Sequence, residues 1–134
     1  MKLSLRARIT VVFLGTVLGV GLALIGLVYV IDAAHDAAPI IEKVAGRRVK
    51  GIICTHGHND HITVAPELST MLDAPILLHP GDEMLWDETH HGVEHETMHD
   101  GQVFHIAGTD MQVLNIPGHS ARSVMSRSGS VSTP

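Results

Sequence analysis

Hydrophobic residues are distributed in two different ways along the chain. Between Ile9 and Ile31 no residue carries a charge, and this stretch is close to the roughly 20 apolar residues that a helix needs to cross a bilayer. From Asp32 onward, short apolar segments alternate with polar ones. The pattern predicts an apolar membrane or signal-like segment over residues 1–31, followed by a domain of short strands and helices.

The apolar segment is open to more than one interpretation. Lys2, Arg6 and Arg8 precede it and Asp32 follows it. This charge order fits a membrane-spanning helix whose amino terminus lies in the cytoplasm, and also an uncleaved signal sequence. Its glycines and β-branched residues equally allow a pair of buried strands. We expect a membrane anchor if residues 9–31 span a bilayer, and a cytoplasmic protein if they do not.

The part after Asp32 is predicted to alternate between short buried strands and helices. Asp36 is a suitable cap for the first helix, and Gly46 is a suitable stop. The predicted strands are 49–54, 75–79, 102–107 and 110–116, and the predicted helices are 37–45, 65–72 and one that begins at Pro80. The last two strands are close enough to form an antiparallel hairpin. The alternation predicts an α/β fold.

The carboxyl-terminal residues have a different composition. The sequence SVMSRSGSVSTP is rich in serine and has no apolar period. Such segments bury too little apolar surface to offset the entropy of ordering. We therefore predict a disordered tail over residues 125–134.

The totals restrict the class of protein. At 134 residues, the chain has room for one ordinary domain. Its formal net charge of −5 argues against a nucleic-acid partner, because a phosphate backbone attracts basic proteins. Cys54 is the single cysteine, which excludes an internal disulfide and leaves the redox compartment undetermined.

Histidine is unusually abundant, with 11 residues that all follow the apolar segment. Three of them lie in CTHGHNDH, directly after a predicted strand. An extended backbone would send His56 and His58 to one side, about 7 Å apart, where both can bind one ion. Where the chain turns into the next helix, Asp60 and His61 can hold a second ion. Imidazole and carboxylate ligands suit zinc, with iron or manganese as alternatives.

The HxHxDH pattern in THGHNDH resembles the metal-binding signature of the metallo-beta-lactamase superfamily. Within it, the sequence is most similar to the glyoxalase II-like hydrolases, the hydroxyacylglutathione hydrolases. VYVIDAAHDAAPII resembles that family's strand, aspartate and following helix, and LNIPGHS resembles its next metal motif. The resemblance implies that His119 joins His56 and His58 on the first ion, with Asp60 and His61 on the second.

The resemblance also implies a fold. It covers approximately residues 28–124 and corresponds to the first half of an αββα sandwich, so residues 32–124 are predicted to form a partial metallo-beta-lactamase domain. Family members continue with a bridging aspartate and a late histidine, for which no candidate follows His119. We expect one sheet to lack its mate, and its uncovered apolar surface to favour self-association.

The implied function is hydrolysis of a small-molecule thioester or ester. In such enzymes a zinc-bound water becomes a hydroxide that attacks the carbonyl carbon. The resemblance gives Asp60 a catalytic role in orienting that water, beside one or two Zn²⁺ ions. An inactive truncated fragment, or a metal-binding remnant without turnover, is the alternative. A small membrane protein whose histidines buffer zinc is a third interpretation.

The other chemically active residues are given structural interpretations. Four histidines in the acidic stretch ETHHGVEHETMHD are interpreted as part of a solvated loop: His90, His91, His95 and His99. His79 and His105 are interpreted as structural residues with local hydrogen bonds. Cys54 ends a buried apolar run, so we expect an inert thiol rather than a nucleophile.

Overall fold

The computed structural model describes residues 26–106 and 108–116 and, for the backbone alone, 123–128. The strands within these residues are β1 (Leu27–Ile31), β2 (Arg48–Ile53), β3 (Ile76–Leu78), β4 (Glu96–Thr97), β5 (Val103–Ile106), β6 (Thr109–Ile116) and β7 (Ser123–Ser128). The α-helices are α1 (Ala37–Val44), α2 (Asn59–Ile62), α3 (Ala65–Leu72) and α4 (Glu83–Thr89), and a 3-10 turn over Pro80–Asp82 leads into α4.

A four-stranded parallel sheet lies at the centre of the described fold. Its strands follow the order β1-β2-β3-β4, and helices connect the first three strands in the manner of βαβ units. Because side chains alternate along a strand, neighbouring residues of β2 enter different cores. Ile52 packs with Leu68 of α3 and Trp86 of α4 in a core between the sheet and the helices. Ile53 faces the opposite side.

The opposite face is covered by a second, antiparallel sheet. Its strands follow the order β5-β6-β7. Phe104 and Val113 of this sheet share a second core with Ile53 and Leu77 of the parallel sheet. The Tyr29 and Phe104 rings meet edge to face with centroids 5.3 Å apart. The expectation that the parallel sheet lacks a mate is therefore wrong, because side chains of the β5–β6 hairpin pack on its second face.

Most helices and strands between residues 37 and 116 follow the sequence predictions, although α2 and β4 were not predicted. The helix predicted over 65–72 is α3, with the same bounds. Asp36 caps α1, where its Oδ1 accepts a hydrogen bond from the Ala38 amide at 3.0 Å. Gly46 follows the helix with a φ of 75°, a left-handed conformation that glycine adopts without strain. Local cap and turn chemistry therefore sets these boundaries.

The end of the apolar segment differs from the membrane-helix prediction. Leu27–Ile31 forms β1 and pairs in parallel with β2, as the alternative interpretation by buried strands expects. Pairing with β2 satisfies the backbone hydrogen-bonding groups of this strand and buries or half-buries the side chains of Leu27 to Val30. The apolar character of these residues is therefore explained by their place in the sheet. No helix within the described residues is long and apolar enough to cross a membrane. Residues 1–25 lie outside the described residues.

The predicted disordered tail is also wrong in part. The backbone of Ser123–Ser128 forms β7, which pairs antiparallel with β6 from Met111 to Ile116. Composition alone misses this strand, because the second edge of β6 offers unpaired amide and carbonyl groups that an adjacent segment can satisfy. Residues 129–134 of the predicted tail lie outside the described residues.

Leu68 and Met71 allow a matched test of the core between helices and sheet, because both lie on α3. Leu68 is 0% exposed, whereas Met71 is 59% exposed. Leu68→Ala should lower the free energy of unfolding by about 2–5 kcal/mol, because it leaves a cavity in a packed core. Met71→Ala should change it by less than about 0.5 kcal/mol. Urea unfolding of both variants measures the difference, and equal losses would contradict this core.

Candidate metal centre

The candidate site lies at the carboxyl ends of the parallel strands. Asp32 directly follows β1, and the ligand candidates begin three residues after β2, at His56. Pairing continues past the strand ends, because the Asp32 amide donates to the Ile53 carbonyl at 2.9 Å. This extension brings Asp32 beside the start of the histidine motif. Open α/β sheets commonly bind ligands at this edge.

Three of the candidate side chains form a compact group. One potential ligand atom from each of His56, Asp60 and His61 lies within 4.8 Å of the other two. The His56 and His61 ring centroids are 4.0 Å apart, and His61 Nε2 is 3.6 Å from Asp60 Oδ2. His56 is buried, whereas the Asp60 side chain is 67% exposed. The group therefore has a closed inner side and a side open to solvent.

The short helix α2 creates this arrangement. His58 is its N-cap residue, and the His61 amide donates to the His58 carbonyl at 2.9 Å. The extended chain thus becomes helical between the second and third histidines. This turn brings Asp60 and His61 back toward His56, whereas a continued strand would carry them away. The His58 ring stands beside the group, with its centroid 4.9 Å from that of His56.

Asp32 orients the two histidines of the compact group. Its carboxylate accepts hydrogen bonds from the Thr55 amide at 2.8 Å, from Thr55 Oγ1 at 2.8 Å and from His61 Nδ1 at 3.0 Å. Since Thr55 Oγ1 donates its proton to Asp32, it accepts one from His56 Nδ1, 3.0 Å away. Both rings then carry their proton on Nδ1, which makes Nε2 the nitrogen that can coordinate a cation.

The structure assembles most of the predicted ligand set, although not in the predicted pairs. His56 was paired with His58 from the sequence, and Asp60 with His61, whereas the compact group combines His56 with Asp60 and His61. Their ligation of metal stays a prediction. His119, assigned to the first ion by the resemblance, lies outside the described residues.

Sequence reasoning missed the roles of Asp32 and Thr55. The available signal was the position of Asp32, which ends the apolar run of VYVID. Asp32 also has a φ of 57°, a left-handed conformation that is uncommon for a residue with a side chain. Neither clue reveals the hydrogen bond to His61, because that contact depends on the parallel pairing of β1 with β2.

The interpretations of the remaining histidines hold in part. His79 has a local structural role, because its Nδ1 accepts a hydrogen bond from the Gly81 amide at 3.1 Å. His105 Nδ1 lies 2.5 Å from Asp110 Oδ1 across the hairpin. The solvated-loop interpretation is wrong for His90 and His95. Their rings contact the buried Trp86, with centroids 4.7 and 5.5 Å from that ring, because burying Trp86 requires neighbours on several sides.

Cys54 is fully buried beside the candidate site. Burial, and secondarily the negative charge of Asp32, raises the pKa of the Cys54 thiol from 9.0 to about 12. Because the thiolate is the reactive form, this environment suppresses nucleophilic and metal-binding chemistry at sulfur. The burial of Cys54 and its raised pKa agree with the inert thiol that was expected from the sequence.

Comparison with known proteins gives a family match over most of the chain. The model of the Metallo-beta-lactamase superfamily matches residues 24–131. Hydroxyacylglutathione hydrolase from Stenotrophomonas maltophilia is 33% identical over 96 residues, which are 71% of this chain and 35% of that protein. An uncharacterized protein from Aquifex aeolicus is 30% identical over 107 residues, 71% of this chain and 51% of that protein. The chain thus spans about a third to a half of the length of these relatives.

Solved structures share the fold. A protein solved in a di-iron-bound form matches with a TM-score of 0.63 and 24% identity, over 72% of this chain and 54% of that chain. The BLEG-1 B3 metallo-beta-lactamase matches with a TM-score of 0.59 and 21% identity, over 75% of this chain and 56% of that chain.

Removal of the Asp32 carboxylate should weaken metal binding. Asp32→Ala takes away the acceptor that orients His61 directly and His56 through Thr55, so we expect zinc affinity to fall by about 10–100-fold. Asp32→Asn should lose less, because an amide oxygen can still accept one of these bonds. Competition with a chromophoric chelator measures the affinity. Asp36→Ala is the control, since it removes a carboxylate that caps α1. An equal loss in the control would contradict the role of Asp32.

The raised pKa of Cys54 predicts a pH-dependent stability. Because the folded thiol binds its proton more tightly than the unfolded one, this contribution is complete below pH 9.0 and declines as pH rises toward about 12. Within that window the parent chain should lose up to about 1.4 kcal/mol per pH unit relative to Cys54→Ala. Urea unfolding of both chains at several pH values tests this. Parallel pH profiles would contradict it, as would rapid thiol labelling of the folded chain at pH 8.

Proposed function

The chain belongs to the metallo-beta-lactamase superfamily, and we propose that it is a metal-dependent hydrolase acting on a thioester or ester of a small molecule. The observation that carries this proposal is the compact group of His56, Asp60 and His61 at the carboxyl ends of the parallel strands. The group offers two imidazoles and a carboxylate, a ligand set that suits zinc.

The choice of substrate is supported by relatives. Three curated relatives named hydroxyacylglutathione hydrolase are 31–33% identical to this chain. That name describes cleavage of a thioester of glutathione. Because the chain covers 35–36% of those proteins, the activity and substrate are a proposal for this chain. Hydrolysis would add water across the carbon–sulfur bond and release a thiol and a carboxylic acid.

The proposed ligands fit a divalent cation. His56 and His61 would bind through Nε2 and Asp60 through its carboxylate, with His58 and His119 completing the set. Zinc is the first choice, with iron or manganese as alternatives, and one similar structure was solved in a di-iron-bound form. A bound cation would lower the pKa of a coordinated water and polarise the carbonyl of the substrate.

The chain's own residues would do three things in this reaction. Asp32 would hold the His61 ring in position, and through Thr55 the His56 ring, by the hydrogen bonds described above. The buried side of His56 would exclude bulk water from the inner face of the site. Asp60, whose carboxylate is largely exposed, would orient the attacking water and accept its proton.

Metal analysis and hydrolysis assays on one preparation test the proposal. We expect bound zinc together with hydrolysis of an acylated glutathione or an aryl ester. His58→Ala removes a proposed ligand. It should lower turnover by at least the roughly 10–100-fold that is typical when even an outer partner of a metal site is lost. His91→Ala, which changes an exposed histidine, is the control and should keep the parent activity.

The outcomes separate the candidate functions. Metal binding without turnover of either substrate would favour the non-catalytic metal-binding remnant. Turnover that persists in the His58→Ala variant, or after complete removal of metal by a chelator, would contradict metal-dependent hydrolysis at this site.

A further inference from the structure

The two cap residues of helix α4 make hydrogen bonds to the segment of chain that carries the proposed ligands. One bond lies near each end of that segment. We call residues 56–62 the ligand segment. Near its start, the Gly57 amide donates to Asp82 Oδ2 at 3.2 Å. At its end, the Ile62 carbonyl lies 2.8 Å from His90 Nε2, which is the donor in this bond. Asp82 is the N-cap of α4 and His90 is its C-cap residue, so one helix joins the two contacts.

The first contact is tight and buried. Asp82 is 1% exposed, so its bond to Gly57 is shielded from competing water. A Cβ added at Gly57 would lie 2.8 Å from Leu85 Cβ and 2.9 Å from the Asp82 carbonyl oxygen. The backbone at Gly57 therefore packs directly against the start of α4, and no room remains for a side chain at this position. Gly57 stands between His56 and His58, so this contact fixes the peptide groups on which both rings are mounted.

The second contact is held by the core. Trp86 is fully buried on α4, and its Nε1 donates to the Val93 carbonyl at 2.8 Å. The His90 ring packs against the Trp86 ring with centroids 4.7 Å apart. This packing limits the orientations of the His90 side chain and holds its ring within hydrogen-bonding distance of the Ile62 carbonyl. The carbonyl belongs to the last residue of α2, the helix that carries Asp60 and His61.

We propose that Asp82 and His90 are positioning residues of the metal centre, which α4 holds at both ends of the ligand segment. The proposal rests on the metal-dependent function proposed above. All four ligand candidates in this part of the chain lie between or beside the two anchored peptide groups. Loss of either anchor leaves the ligands present but lets their backbone shift, and metal sites are sensitive to such displacements.

Cobalt binding by the full chain tests this role, because the visible spectrum of Co²⁺ reports coordination geometry. Asp82→Ala and His90→Ala should each weaken cobalt binding by about 10–100-fold, measured by chelator competition, and alter the spectrum. Asp82→Asn keeps an oxygen that can accept from Gly57, and His90→Gln keeps an N–H donor. Both conservative variants should recover most of the affinity and the parent spectrum.

Control variants separate positioning from general stability. Asp87 lies exposed on α4 and His91 lies exposed just after it, so Asp87→Ala and His91→Ala should bind cobalt like the parent. The thermal midpoint of each metal-free chain is measured beside its affinity. If Asp82→Ala does not fold, the His90 pair decides the test. Affinity that falls only in proportion to stability, without rescue by the conservative variants, would overturn the proposal.

The two proposals fail in different ways. If the parent chain binds no cobalt or zinc, the metal-dependent function fails, and the positioning role fails with it. If the parent binds metal and all four Asp82 and His90 variants bind it equally well with unchanged spectra, the positioning role alone is overturned.

Discussion

The geometry of the candidate site depends on the hydrogen bonds that the Asp32 carboxylate accepts. This carboxylate links the end of β1 to the end of β2 through Thr55 and continues to the imidazole of His61. The fold supplies this linkage, because parallel pairing delivers the ends of adjacent strands to one edge. A charged acceptor also sets which nitrogen of each ring carries the proton. Fold and site chemistry are therefore connected by one side chain that is not itself among the proposed ligands.

The site is supported from two directions. Asp32 holds the rings of the compact group from the strand side, whereas α4 holds the backbone of the ligand segment from the helix side. These supports have different physical origins, since one is a charged hydrogen-bond network and the other combines close packing with two bonds to the main chain. The ligand segment is short, and α2 within it has four residues. Such a helix is not stable by itself in water, so its shape depends on these tertiary contacts.

Much of the fold was predictable because its signals are local. Asp36 and Gly46 mark the ends of α1, and the apolar run at β2 identifies a buried strand. The HxHxDH spacing placed His56, Asp60 and His61 close together in the sequence after a strand, but it paired His56 with His58 and Asp60 with His61, so it did not predict which three side chains form the compact group. Features that depend on distant residues were not predictable. The strand β7 forms because β6 offers an edge, and the His90 ring is positioned by Trp86 and Ile62 rather than by its acidic neighbours.

The close approach at Gly57 has a consequence for how this motif can vary. A side chain between the two histidines would require the backbone near Leu85 to move outward, and that movement would also shift Trp86 within the core. Changes at this position and in the facing helix are thus energetically coupled rather than additive. An engineer who wishes to diversify the spacer must redesign the opposing helical surface at the same time, treating the two segments as one unit.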